Sequence, residues 1–184
     1  MNQTSDSPSS PAKALSFWPA LGLIAAGDFI TKRLAESLLT MHLPHPVFGD
    51  FVRLTLTYNP GAALNFSLGP ASRIALSILA VAMLGVLYRM YRSADDRDAW
   101  QALALGLVAG GALGNLLDRI RSARGVVDFI DVGTSDWRFW TFNVADSGVF
   151  CGAILLALIL LRRPHREPTP RPVPAPSQES QTGS

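Results

Sequence analysis

The sequence predicts a membrane protein, mainly α, with four transmembrane helices and a small extracytoplasmic β-sheet. Three observations carry this reading. Of the 184 residues, 48% are hydrophobic and only 16% are charged, although both ends of the chain are polar. Four runs, at about 15–34, 71–91, 100–118 and 144–161, approach the roughly 20 apolar residues that cross about 30 Å of hydrocarbon. These runs are apolar around most of the helix, whereas a soluble core of this size shows amphipathic stripes and frequent charges.

In chain order, residues 1–14 are Ser-, Pro- and Asn-rich and read as a disordered N-terminus. The membrane domain covers 15–163. Its first run has a poor basic flank (Lys13) and contains Asp28 and Lys32, which disfavours a cleaved secretory signal. "FVRLTLTYN" then alternates, with Val52, Leu54, Leu56 and Tyr58 on one face and Arg53, Thr55 and Thr57 on the other, before the turn signal Asn59-Pro60-Gly61. In the third run Ala102, Gly106, Gly110 and Gly114 recur every four residues, a stripe that lets another helix approach closely. "GVVDFIDV" and "DWRFWTF" read as two further short strands, with Trp137, Phe139, Trp140 and Phe142 suited to a membrane interface. Residues 164–184 are a Pro-rich tail expected to be disordered.

With four spans, both termini share a side with the connection near 88–99. That side carries Lys13, Arg89, Arg92, Arg97, Arg162, Arg163, Arg166 and Arg171, so the positive-inside rule places the termini in the cytoplasm. Connections 40–70 and 119–143 then face outside. The pI near 9.0 reflects these membrane flanks and not a nucleic-acid face. His42, His45 and His165 lack metal-site spacing, so no metal is expected. A single cysteine, Cys151, excludes an intramolecular disulfide.

Charge near a span is expensive, roughly 2.5–3.5 kcal/mol at a helix centre, so each retained polar residue needs a reason. Asp28 and Lys32 are four apart and read as a structural ion pair. Lys32 as general base for Ser147 is the alternative, but the neighbouring Asp28 favours the charged lysine. Asn115-x-x-Asp118 and Asn143-x-x-Asp146 repeat one spacing near the outer ends of the third and fourth spans, where an amide can donate to its carboxylate. This repeat pairs Asp118 with Asp146 as twins. Asp128, on the face of its strand opposite Val127 and Phe129, belongs to the connection that leads into Asp146, so these two can also meet; Asp131 reads as solvated at the strand end. Two carboxylates in a half-dry site hold one proton between them, the machinery of an aspartic protease.

The blocks "DFITK" (28–32), "YNPGAAL" (58–64), "GGALGNLLDR" (110–119), "GVVDFID" (125–131) and "FNVADS" (142–147) resemble those of the lipoprotein signal peptidase (signal peptidase II) family. The resemblance covers about 17–161. It implies an aspartic endopeptidase of the bacterial inner membrane, with its active site at the periplasmic side, that removes the signal peptide from diacylglyceryl-modified prolipoproteins just before the lipidated cysteine. By resemblance Asp128 and Asp146 are catalytic, which replaces the Asp118–Asp146 twinning, and Asp118 becomes a supporting residue. Asn59, Asn115, Arg119 and Asn143 hold substrate backbone or orient the dyad, while Asp28 and Lys32 fix the first helix. No cofactor is implied. The partners implied are the prolipoprotein and membrane lipids, with no nucleic acid, and the default assembly is a monomer. The chain departs from the family pattern at Pro60 and Leu64, where Phe66 takes the aromatic role, and in a slightly long segment from Asp118 to Asp128. A proton-coupled carrier relaying through Asp28, Asp118 and Asp146 would instead show flux and no cleavage, and an assembly factor would tolerate loss of both aspartates.

Overall fold

The computed structural model describes residues 11–61 and 70–162. Most of the two expected disordered ends, and the Leu64 and Phe66 positions, lie outside the described residues. The elements are α1 (Pro11–Leu38), β1 (His45–Phe48), β2 (Val52–Asn59), α2 (Pro70–Ser93), α3 (Ala99–Arg121), β3 (Val126–Val132) and α4 (Val144–Arg162). All four helices are long and apolar enough to cross a membrane.

Helix α3 is the central post, and its small residues explain why. A Cβ on Gly110 would stand 2.7 Å from the Leu21 carbonyl oxygen, and one on Gly106 would stand 2.5 Å from that of Phe17, so α1 lies directly on the glycine stripe. On another side, α4 brings Gly152 within 2.7 Å (Cβ to oxygen) of the Ala104 carbonyl. Leu105, Ala102 and Ala109 fill the space between α3, Phe17 of α1, and Leu87 and Tyr91 of α2. Outward residues such as Ile78, Leu79, Phe150 and Leu161 are exposed and apolar, as lipid contact requires.

Residues 11–14, assigned above to the polar N-terminus, form the first turn of α1. The cause is Lys13, which is buried, donates to the Ala94 carbonyl at 2.7 Å and lies 5.0 Å from the Tyr91 ring centroid. Its ammonium satisfies carbonyls that the end of α2 leaves unpaired.

The sheet is an antiparallel meander in the order β1-β2-β3. Leu56, Val127 and Phe129 pack one face onto Ala35 of α1, which seats the sheet on the C-terminal end of that helix. Its third strand is β1 and not the expected "DWRFWTF" segment. Pro46 weakens β1 as a sequence signal, yet an edge strand accommodates proline. Residues 137–142 form no strand and meet β3 and Gly133 through isolated bridges at Ile130–Phe142 and Gly133–Arg138 and through the Phe139 N–H, which donates to the Val132 carbonyl at 2.8 Å. Arg138 also reaches back from this segment, placing its Nη2 on the Asp131 carbonyl at 3.2 Å.

Candidate active site

Asn143 sits immediately before α4 and joins two carboxylates. Its side-chain oxygen accepts from the Asp146 backbone N–H at 2.9 Å, while Asp146 Oδ2 accepts from the Asn143 backbone N–H at 3.3 Å. This reciprocal pair closes the first turn of α4 as a capping box does. The Asn143 amide then points across to β3, where Nδ2 donates to Asp128 Oδ1 at 2.6 Å. A helix start therefore holds Asp146, and the same residue holds the carboxylate of the neighbouring strand.

A second amide, Asn115 of α3, completes the frame. Its Nδ2 donates to Asp146 Oδ1 at 2.8 Å, and its Oδ1 accepts from Lys32 Nζ at 2.9 Å. Lys32 is fully buried and pairs with Asp28 at 2.7 Å and Asp118 at 3.0 Å. Because an ammonium only donates, it fixes which end of the Asn115 amide faces Asp146. Asp28 reaches further, accepting from the Ala145 N–H at 2.8 Å, and Asp118 accepts from the Val127 N–H at 3.1 Å.

The two central carboxylates differ in surroundings. Asp128 is buried, whereas Asp146 is half-buried at the edge of a cavity of about 610 Å³. Burial first, and the Asp146 charge second, raise the Asp128 pKa to about 7 against the hydrogen bonds from Asn143 and Asn59. Asn59, at the end of β2, also accepts from the Gly61 N–H at 3.0 Å, so the turn after β2 is tied to the site. Arg119 donates Nη1 to the Asn115 carbonyl at 3.2 Å, and its buried Nε has no partner among the described residues. No cluster of three or more His, Cys, Asp or Glu side chains suited to a metal ion forms among the described residues.

Comparison with known proteins places this geometry. The family model for signal peptidase II matches residues 20–162. The chain belongs to the signal peptidase II family. As a member of the signal peptidase II family it is a peptidase, and its four apolar helices make it a multi-pass membrane protein. It is 44% identical over 146 residues to the lipoprotein signal peptidase of Rhodococcus jostii, a match that covers 76% of this chain and 69% of the relative. It is 41% identical over 143 residues to that of Pseudomonas syringae pv. tomato, covering 76% and 82%. A solved bacterial membrane enzyme superposes with a TM-score of 0.72 at 26% identity, covering 82% of this chain and 93% of that one.

The structure brings Asp128, Asp146, Asn59, Asn115 and Asn143 into one hydrogen-bonded set, with Arg119 alongside. Asp118 stands apart from its expected twin Asp146, because Lys32 and the Val127 N–H hold it. The Asn115 amide accordingly serves Asp146 and not Asp118, three residues along its own helix. Lys32 bonds Asp28, Asp118 and Asn115 but not Ser147, whose hydroxyl donates to the Asn143 carbonyl at 3.1 Å. The serine–lysine arrangement is therefore not formed. Asp131 is buried, not solvated: it accepts from Arg138 Nε at 2.6 Å, Thr55 Oγ1 at 2.9 Å and Arg53 Nε at 3.1 Å. These donors outweigh its burial and hold its pKa below the ordinary value. The alternation of Arg53 and Thr55 on one face of β2 was the available signal for that partnership.

Proposed function

We propose that this peptidase is an aspartic endopeptidase acting on diacylglyceryl-modified bacterial prolipoproteins, cleaving just before the lipidated cysteine, with Asp128 and Asp146 as the catalytic pair. The observation that carries the reading is the shared frame of the two carboxylates: one residue, Asn143, donates its side-chain amide to Asp128 and its backbone N–H to Asp146, and the charge of Asp146 helps keep Asp128 protonated to about pH 7. In this scheme the pair holds one proton. Asp146, at the cavity edge, takes a proton from water, and that oxygen attacks the scissile carbonyl carbon. Asp128 gives its proton to the carbonyl oxygen. Collapse of the tetrahedral diol returns a proton to Asp128 and passes the proton held by Asp146 to the departing nitrogen, which restores the starting state.

In this scheme Asn59 and Arg119 hold the substrate backbone or orient the pair, and Asn115, which donates to Asp146 Oδ1, fixes the orientation of that carboxylate. The scheme calls for no metal or organic cofactor, and the chain acts as a monomer on substrate within the lipid. The distribution of basic residues supports an inner-membrane protein with cytoplasmic termini and the site at the periplasmic side. The names of the similar proteins support the substrate. Cleavage of a diacylglyceryl-modified precursor by Asp128→Asn and Asp146→Asn proteins tests the pair. Each is expected to lose about a hundredfold to ten-thousandfold in kcat, and normal turnover by either removes the assignment.

A further inference from the structure

The end of the bundle that carries the sheet also holds an arginine cluster that the proposed chemistry leaves unused. Glu36, near the end of α1, accepts from Tyr58 Oη at 3.0 Å and pairs with Arg33, three residues before it. Arg121, the last residue of α3, reaches the same carboxylate at 3.4 Å, and Arg124 reaches it at 3.6 Å. Arg33 and Arg121 also approach Asp118 Oδ1, at 3.4 and 3.6 Å, while Asp118 Oδ2 pairs with Lys32. With Asp28, which Lys32 also holds, four cations meet three carboxylates among the described residues. The surplus lies at the surface, where the Arg121 and Arg124 side chains are 41% and 64% exposed. Each touches Glu36 through Nη2 alone, so among the described residues Nε and Nη1 of both are left to donate.

Helical spacing puts apolar, exposed side chains directly beneath this charge. Phe29 lies four residues before Arg33 on α1, and its ring centroid is 5.5 Å from that guanidinium. Leu117 lies four residues before Arg121 on α3. Phe29 and Leu117, with Ile30 and Ile120 beside them, are exposed within the spans. Because Arg33 and Arg121 converge on Glu36, the two columns stand side by side. Each sets a cation above hydrocarbon-facing surface, as a phospholipid sets its phosphate above its chains. Arginines are disfavoured at this end in the orientation proposed above, so their presence calls for a partner.

We infer that Arg33, Arg121 and Arg124 form a site for the phosphate of an anionic phospholipid, whose acyl chains lie along Phe29 and Leu117. Phosphate oxygens accept the guanidinium donors that Glu36 leaves over, and the planar fork of arginine suits them. A zwitterionic headgroup fits less well, because its ammonium would stand beside three further cations. Lipid binding there does not depend on the assignment of the catalytic pair.

The test titrates the full chain in detergent with dioctanoyl phosphatidylglycerol and dioctanoyl phosphatidylcholine, and native mass spectrometry reads the bound lipid. Phosphatidylglycerol is expected to bind about tenfold more tightly. Arg121→Gln with Arg124→Gln should weaken it by about fivefold for each arginine removed and leave phosphatidylcholine unchanged. Arg89→Gln with Arg92→Gln, at the other end of the bundle, should change neither. Equal affinity for the two lipids, or equal loss in the two variants, overturns the inference. Glycerol 3-phosphate or a hexaglutamate peptide that binds as tightly as phosphatidylglycerol overturns it in favour of a free phosphate or an acidic peptide. A second measurement needs no variant. The parent protein in nanodiscs is irradiated with phosphatidylglycerol that carries a diazirine near the top of one acyl chain. Label is expected at Phe29, Leu117 and their neighbours, and excess phosphatidylglycerol, unlike phosphatidylcholine, should remove it. No label there, or label that phosphatidylcholine removes equally, also overturns the inference.

Discussion

Asp128 keeps its proton to about pH 7 in the folded chain, whereas an unfolded aspartate releases it near its model value of 3.8. Between these values the native state binds the extra proton, so this group makes stability fall as pH rises from about 4 to about 7, with no further change above. Asp128→Asn removes that contribution and retains an oxygen to accept from Asn143. The variant is expected to be inactive yet at least as stable as the parent, with its advantage growing between pH 5 and pH 8. Thermal unfolding in detergent at the two pH values checks this, and a variant that loses ground as pH rises contradicts it. In the parent, kcat/KM should decline as pH rises through about 7, because the carbonyl then loses its proton donor.

Helix starts and helix contacts position these side chains, and both can be perturbed separately from the chemistry. Asn143→Ser retains an oxygen to cap α4 but loses the amide that reaches Asp128. Its kcat should fall by about a hundredfold with little change in melting temperature, whereas Asn143→Ala should also lose about 1 kcal/mol of stability. Gly110→Ala drives a methyl group against the Leu21 carbonyl oxygen and the Ile24 Cβ, at 2.7 and 2.9 Å. It should cost about 1–3 kcal/mol, while Gly85→Ala in α2, which meets nothing within 4 Å, should be neutral or mildly stabilising. Unfolding of the two proteins side by side decides the point. The glycine stripe was legible in the sequence because a small residue every fourth position means close packing whatever the partner helix. Asp128 and Asp146 were not legible by spacing alone, which twinned Asp146 with Asp118. The i, i+3 repeat reports neighbours on one helix, but the amides of Asn115 and Asn143 reach other elements. Asp131 was misplaced for the same reason: its donors come from β2 and from the loop after β3, and only the fold assembles them.

Lys32 of α1 ties that helix to α3, α4 and β3. Through Asp28 it is linked to the start of α4, through Asp118 to β3, and through Asn115 to the dyad. A buried ion cluster of this kind repays its desolvation only while complete, so removing one member leaves uncompensated charge. Lys32→Met should therefore destabilise the protein by about 3–5 kcal/mol. Neutralising the cluster together, as Asp28→Asn, Lys32→Met and Asp118→Asn, leaves oxygens that can still accept from the Ala145 and Val127 N–H groups, and most of that stability should return. Activity should return only in part, because Asn115 Oδ1 then keeps only the 3.2 Å bond from Asn143 Nδ2 and the amide is held less firmly against Asp146. Unfolding and precursor cleavage measured on the same preparations separate the two effects. A triple variant as fragile as Lys32→Met would show that stranded charge is not the source of the loss. Full turnover by a stable triple variant would reduce Lys32 to a fastening between helices, with no part in orienting the Asp146 carboxylate.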